Sequence, residues 1–106
     1  MKLQTIKNIW AEFNRDVFAA VGCPLSEVPH YRTRSSDIWA YWTGSHYGWN
    51  IKSHKNMRGL IFHEMVHQWQ DEYLPPYLDL QNPHDVYFWG WQPTAKKLGL
   101  TFGEYM

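Results

Sequence analysis

The sequence predicts a small α+β domain, in which an N-terminal helix, a small three-stranded antiparallel sheet and two further helices surround one core. Apolar residues recur at three- and four-residue steps over residues 3–20 and 56–73, which is typical of helices. Between these segments, over residues 28–52, the apolar period falls to two, which is typical of strands. The chain has 106 residues, enough for one hydrophobic core, so residues 1–106 form a single predicted domain.

The first helix is predicted over residues 3–20. Its apolar positions follow the helical repeat and are Leu3, Ile6, Ile9 or Trp10, Phe13 and Val17. Gly22 and Pro24 follow the last of them, and both residue types end helices. This helix therefore presents one apolar face to the core.

The sheet is predicted from two alternating segments and one shorter one. Ile38, Ala40 and Trp42 form the first alternating set, and Tyr47, Trp49 and Ile51 form the second. The four residues between them, 43–46, contain Gly44 and predict a hairpin turn. A short strand within residues 28–32 is expected to pair alongside.

The third and fourth predicted elements are both helices. Helical periodicity over residues 56–73 ends before Pro75 and Pro76, which cannot continue a helix. A last helix is expected over about residues 85–98, ended by Gly99, with a kink or a later start at Pro93.

Bulk composition limits the class of protein. Cys23 is the only cysteine, so no intrachain disulfide and no thiolate-based zinc site can form. The first 13 residues lack the apolar run of a signal peptide, and no segment reaches the roughly 18 apolar residues of a membrane span. These features predict a cytoplasmic protein that does not enter a membrane.

The segment His63-Glu64-Met65-Val66-His67 carries the clearest chemical signal. On a helix, residues four apart lie about 40° apart on one face, so both imidazoles can bind one tetrahedral ion. Glu64 is rotated by about 100° and can reach a water bound to that ion. Two ligands and a general base in this spacing are typical of zinc peptidases. The opposite side of the helix is apolar and is expected to pack into the core through Phe62, Met65, Val66, Trp69 and Tyr73.

A catalytic zinc ion usually has three protein ligands and one open position. Downstream candidates for the third ligand are His84, Asp71, Asp79 and Asp85. His84 is our first choice, because the turn-forming pair Asn82-Pro83 precedes it and allows the chain to fold back. Asp71, four residues after His67, could instead orient a ligand imidazole.

The order of these features resembles the SprT-like zinc metalloprotease domain, the family that includes Spartan-type proteases of DNA–protein crosslinks. The resemblance rests on the segment Phe13-Asn14-Arg15-Asp16-Val17-Phe18, a hairpin, the segment 63–67, and His84 shortly before Phe88-Trp89. It covers nearly the whole chain. It implies a minimal zincin-like fold, Zn²⁺ bound by His63, His67 and His84, and Glu64 as the catalytic base.

We therefore expect a zinc metallopeptidase that hydrolyses proteins or peptides, with DNA or DNA-bound proteins as further partners implied by the resemblance. A strand edge near residues 47–51 is expected to hold an extended substrate. The oxyanion also needs a hydrogen-bond donor, and the candidates are Tyr87, Tyr31, His54 and Arg58.

The alternative is a nucleic-acid-binding protein with a structural zinc site. Residues 32–58 contain five basic side chains against Asp37 alone, a local charge of +4 in a chain whose formal net charge is zero. Rings beside Lys and Arg are how proteins hold single strands. The rings in and next to this segment are Tyr31, Trp39, Tyr41, Trp42, Tyr47 and Trp49.

Overall fold

The computed structural model describes residues 1–73, which form a small α+β domain with two helices and a three-stranded mixed sheet. The elements are α1 (Leu3–Phe13), β1 (His30–Thr33), β2 (Ala40–Trp42), β3 (Tyr47–Asn50) and α2 (Met57–Tyr73). The α+β class, the three strands and both of these helices were predicted and are confirmed. The last predicted helix, over residues 85–98, lies outside the described residues.

The helical segment that begins with α1 continues as one π-helical turn over Asn14–Phe18 and a short 3₁₀ turn over Ala19–Val21. Gly22 then adopts φ of 81° and ends the segment, as predicted, because glycine enters the left-handed region without a Cβ penalty. The side-chain amide of Asn14 holds the returning chain. Its Oδ1 accepts the N–H of Leu25 at 2.7 Å, and its Nδ2 donates to the carbonyl of the same residue at 3.1 Å.

The π-helical turn also changes which residue enters the core. Such a turn contains one more residue than an α-helical turn, so side chains five apart can share a face. Phe13 and Phe18 consequently both contact Phe62 of α2, with ring centroids 5.2 and 5.6 Å away. Phe18 is fully buried, whereas the predicted core residue Val17 only packs against the core from its edge.

The sheet is mixed, and the prediction of an antiparallel sheet is wrong for one of its two strand pairs. The strand order is β1-β3-β2; β2 pairs antiparallel with β3, but β1 pairs parallel with β3. The chain leaving β1 passes the position of β3 before it enters β2. The hairpin then returns it between the two earlier strands, running in the direction of β1.

Asn50 fixes this crossing of the chain. Its side-chain Nδ2 donates to the carbonyls of Ser35 and Ile38, in the segment that joins β1 to β2. Its Oδ1 accepts the N–H of Lys52 at 2.9 Å. The asparagine is 4% exposed, so these partners satisfy an otherwise costly buried amide.

Strand β3 and helix α2 supply most of the core around residues 63–67. All four residues of β3 are buried, and its Trp49 and Tyr47 are fully so. The predicted apolar face of α2 is confirmed for Phe62, Met65, Val66 and Trp69. Tyr73 is an exception: it is 41% exposed, because its hydroxyl reaches out to donate to the carbonyl of Pro24. No helix within residues 1–73 is long and apolar enough to cross a membrane.

Gly48 is required in β3 because the ring of Tyr41 lies over it. The two residues face each other in the antiparallel pair, and a Cβ at position 48 would lie 2.2 Å from the Tyr41 ring. We expect Gly48→Ala to lower the free energy of unfolding by about 1–3 kcal/mol, since the ring must be displaced. Urea titration of the wild type and the variant measures this change.

The control for this prediction is a double-mutant cycle. In a Tyr41→Ala background the same Gly48→Ala change should cost much less, because the clashing ring is gone. An equal loss of stability in both backgrounds would contradict the steric explanation.

Candidate metal centre

Helix α2 carries the predicted metal motif, and its first turn is closed by Asn56. The side-chain Oδ1 of Asn56 accepts the N–H of Gly59 at 3.1 Å, which is the hydrogen bond of an N-terminal cap. The N–H of Asn56 in turn donates to Nδ1 of His54 at 2.9 Å. The segment before α2 is therefore tied to the helix, and His54 with it.

Three side chains of α2 converge at one point. His63, Glu64 and His67 each offer a ligand atom, and these atoms lie within 4.8 Å of one another. The Nε2 atoms of His63 and His67 are 3.3 Å apart, and the two rings meet edge to face with centroids 4.9 Å apart. The helical spacing predicted that the two imidazoles share one face of α2, and the two side chains lie together there.

The distance between the two imidazole nitrogens fits a zinc ion. Zinc–nitrogen bonds of about 2.0–2.1 Å at the tetrahedral angle place two nitrogens about 3.3–3.4 Å apart. The two histidines therefore already have the separation that one tetrahedral ion would impose. The same spacing also permits one imidazole to donate a hydrogen bond to the other.

Glu64 lies on the inner side of the motif and is only 7% exposed. Burial raises the pKa of its carboxyl group, while the imidazoles of His67 and His63 act in the opposite direction. A glutamate in this environment accepts and holds a proton more readily than an exposed one. That property suits a carboxylate for general acid–base chemistry.

The neighbours of His67 differ from the sequence expectation. Its Nδ1 lies 3.0 Å from Oε1 of Gln70, which is one turn further along α2. Asp71, the residue expected either to bind the metal or to orient an imidazole, accepts a hydrogen bond from the indole N–H of Trp42 in β2. This hydrogen bond connects β2, at the edge of the sheet, to α2.

Two cavities flank the motif, and Ala40 and Glu64 line both. The larger, about 470 Å³, lies between β2 with its hairpin turn and the side of α2 that carries His67, Gln70 and Asp71. The smaller, about 340 Å³, is lined by residues around His63 on α2 together with Trp39 and His54. The cluster thus opens onto a groove that runs along β2.

The strand that borders this groove is β2, not the segment 47–51 expected from the sequence. β3 is the central strand and pairs on both sides, so it offers no edge to a substrate. Within the described residues β2 pairs on one side only. The prediction of a sheet edge at residues 47–51 is wrong because β2 forms away from β1, and β3 then fills the place between the two earlier strands.

Three of the four candidate oxyanion donors lie within the described residues, at different places in the fold. Tyr31 lies in β1, at the opposite edge of the sheet from β2, and its ring contacts His46. Arg58 pairs with Glu12 of α1 at 3.2 Å. Only His54 of these three lines a cavity together with His63 and Glu64. Tyr87 lies outside the described residues, as do His84, Asp79 and Asp85.

The other two histidines of the described residues, His30 and His46, have neighbours outside the cluster. His30 packs against the rings of Tyr47 and Trp49, and its Nδ1 accepts the indole N–H of Trp49 at 2.9 Å. Burial, aided by the charge of Lys7, lowers the pKa of His30 to about 4, so this imidazole is neutral at pH 7. His46 belongs to the hairpin turn, where its Nδ1 lies 3.1 Å from the hydroxyl of Thr43.

The fold buries some of the aromatic side chains proposed for nucleic-acid stacking and leaves others exposed. Tyr47 and Trp49 are fully buried and cannot stack on a base, and the indole of Trp42 is bonded to Asp71. Tyr31 and Trp39 are 54% and 41% exposed. The charged side chains that line the larger cavity, Glu64 and Asp71, are both acidic in type, so this groove does not favour a polyanion.

Two contributors to the site were missed in the sequence, namely Gln70 and the edge strand β2. Gln70 is three residues after His67, and this spacing on a helix could have identified it as a neighbour. The edge position of β2 had no local signal, because it depends on the order of strands in the sheet. The chain matches no protein-family model, no curated protein and no solved structure.

Proposed function

We propose that this protein is a zinc-dependent metallopeptidase of the zincin type, with His63 and His67 as metal ligands and Glu64 as the general base. The observation that carries the proposal is the 3.3 Å separation of the two Nε2 atoms beside a buried glutamate. The resemblance to SprT-like proteases supports it, and from that resemblance His84 remains the predicted third ligand.

The chemistry divides between the ion and the protein. Zinc, when bound, polarises the scissile carbonyl and makes an attacking water more acidic. Glu64 takes the proton from that water and delivers it to the amine that leaves. The raised pKa of this carboxyl favours such a shuttle, because burial disfavours the charged form and so favours proton uptake.

The groove along β2 fits an extended peptide. A substrate strand added to the open edge of Ala40–Trp42 would form main-chain hydrogen bonds and pass Glu64. Because Ala40 and Glu64 line both cavities, side chains on either side of the scissile bond have a pocket each. We propose proteins or unfolded polypeptides as the substrate class, and DNA-bound proteins as the class that the family resemblance adds.

We propose His54 as the donor to the oxyanion. Its Nδ1 already accepts the N–H of Asn56, so in the neutral ring Nε2 carries the proton. The ring lies edge to face against Trp39, in the cavity that His63 and Glu64 also line. A neutral donor in that place can stabilise negative charge on the carbonyl oxygen.

Metal removal tests the proposed function. We expect the full chain, loaded with zinc, to cleave denatured casein or members of a quenched fluorescent peptide library. Treatment with a chelator should abolish cleavage, and added zinc should restore it. Cleavage that persists in the metal-free protein, or a zinc-loaded protein that cleaves no member of the library, would refute a zinc peptidase.

A further inference from the structure

Gln70 occupies a place in the site that stability alone does not explain. It is 2% exposed, and its side-chain Nε2 is buried and has no hydrogen-bond partner among the described residues. A buried amide N–H without a partner destabilises the folded chain, a penalty that a methionine or leucine at this position would avoid. The other end of the same amide, Oε1, contacts His67 at 3.0 Å.

The contact decides which nitrogen of His67 is available to a metal. Its Nε2 points to the Nε2 of His63, so Nε2 is the ligand atom. A neutral imidazole carries one proton, which must then be on Nδ1. The carbonyl oxygen of Gln70 can only accept a hydrogen bond, and it therefore stabilises the tautomer in which Nε2 carries no proton and can bind zinc through its lone pair.

We propose that Gln70 is a positioning residue that holds the His67 ring in its zinc-binding tautomer and orientation. This inference rests on the proposed function, in that it assumes zinc at His63 and His67. Gln70 performs the task for which the sequence offered Asp71, whose carboxylate is engaged by Trp42. Since α2 fixes both Gln70 and His67, their contact does not depend on the position of a loop.

Gln68 provides a matched control on the same helix. It is also a glutamine and is fully buried, but it accepts from the hydroxyl of Tyr47 and donates to the Ser26 carbonyl and to Glu72, each at 2.8 Å. Burial raises the pKa of Tyr47, so its hydroxyl remains a donor. Replacing Gln68 should therefore weaken the fold without acting on either imidazole.

The test compares zinc dissociation constants of the full-length wild type, Gln70→Met, Gln70→Glu and Gln68→Met, measured against a chromophoric chelator at pH 7. We expect Gln70→Met to raise the Kd by about 10–100-fold, as loss of such outer contacts does in other zinc sites. Gln70→Glu, which keeps an acceptor, should restore wild-type affinity or exceed it. Gln68→Met should lower the melting temperature of the metal-free protein and leave the Kd unchanged.

Three results would overturn the inference. These are an unchanged Kd in Gln70→Met, an equal rise in Gln70→Met and Gln68→Met, and no recovery in Gln70→Glu. Thermal melts of each metal-free variant confirm that the measured chains are folded. This test measures zinc affinity and not hydrolysis. A protein that binds zinc but has no peptidase activity would therefore refute the proposed function without refuting the role of Gln70. A wild type that binds no zinc would remove both.

Discussion

Replacing Glu64 by Gln should reduce peptide hydrolysis by about 10²–10⁴-fold while zinc stays bound. A general base contributes this much to the rate, and an amide cannot take the proton from the attacking water. The substitution preserves the size of a side chain that is 7% exposed, so the core around it should remain packed. The measurement is kcat/KM on a cleaved peptide, together with the zinc content of each protein.

Glu72→Gln is the control for this prediction. Glu72 lies two turns further along α2 and accepts hydrogen bonds from the N–H of Ser26 and the amide of Gln68. Its replacement removes the same charge from the same helix without touching the cluster, and kcat/KM should stay near the wild-type value. A Glu64→Gln protein that binds zinc and keeps the wild-type rate would rule out Glu64 as the base.

The helices and the hairpin could be predicted because their signals are local. The three- and four-residue apolar steps located α1 and α2, and Gly44 with φ of 94° lies in the turn predicted over residues 43–46. The parallel pairing of β1 with β3 could not be predicted, because alternation shows that a segment is extended but not which neighbour it takes. The π-helical turn could not be predicted either, because it depends on the burial of Phe18 against Phe62.

The candidate site likewise has a part that could be predicted from the sequence and a part that could not. The spacing of His63 and His67 on one helix was sufficient to predict that their imidazoles lie together. Their hydrogen-bond partners were not, because the choice between Gln70 and Asp71 depends on Trp42, which only the folded hairpin brings near the helix. The place of His54 likewise depends on its contact with the cap of α2.

Removal of either histidine should largely abolish zinc binding, and this prediction addresses the metal centre itself. A structural zinc site contributes about 10–16 kcal/mol over four ligands. Each ligand therefore accounts for about 2.5–4 kcal/mol, or roughly 60- to 1,000-fold in Kd. His63→Ala and His67→Ala should each show a loss of this size, whereas His46→Ala, which lies in the hairpin turn outside the cluster, should not.

The most direct measurement is a calorimetric zinc titration of the metal-free full chain and these three variants. The account predicts one zinc ion per wild-type chain, the same stoichiometry and Kd in His46→Ala, and a strongly raised Kd in His63→Ala and His67→Ala. Wild-type affinity in both of the latter variants, or no zinc binding by the wild type, would show that the two imidazoles 3.3 Å apart do not form a zinc site.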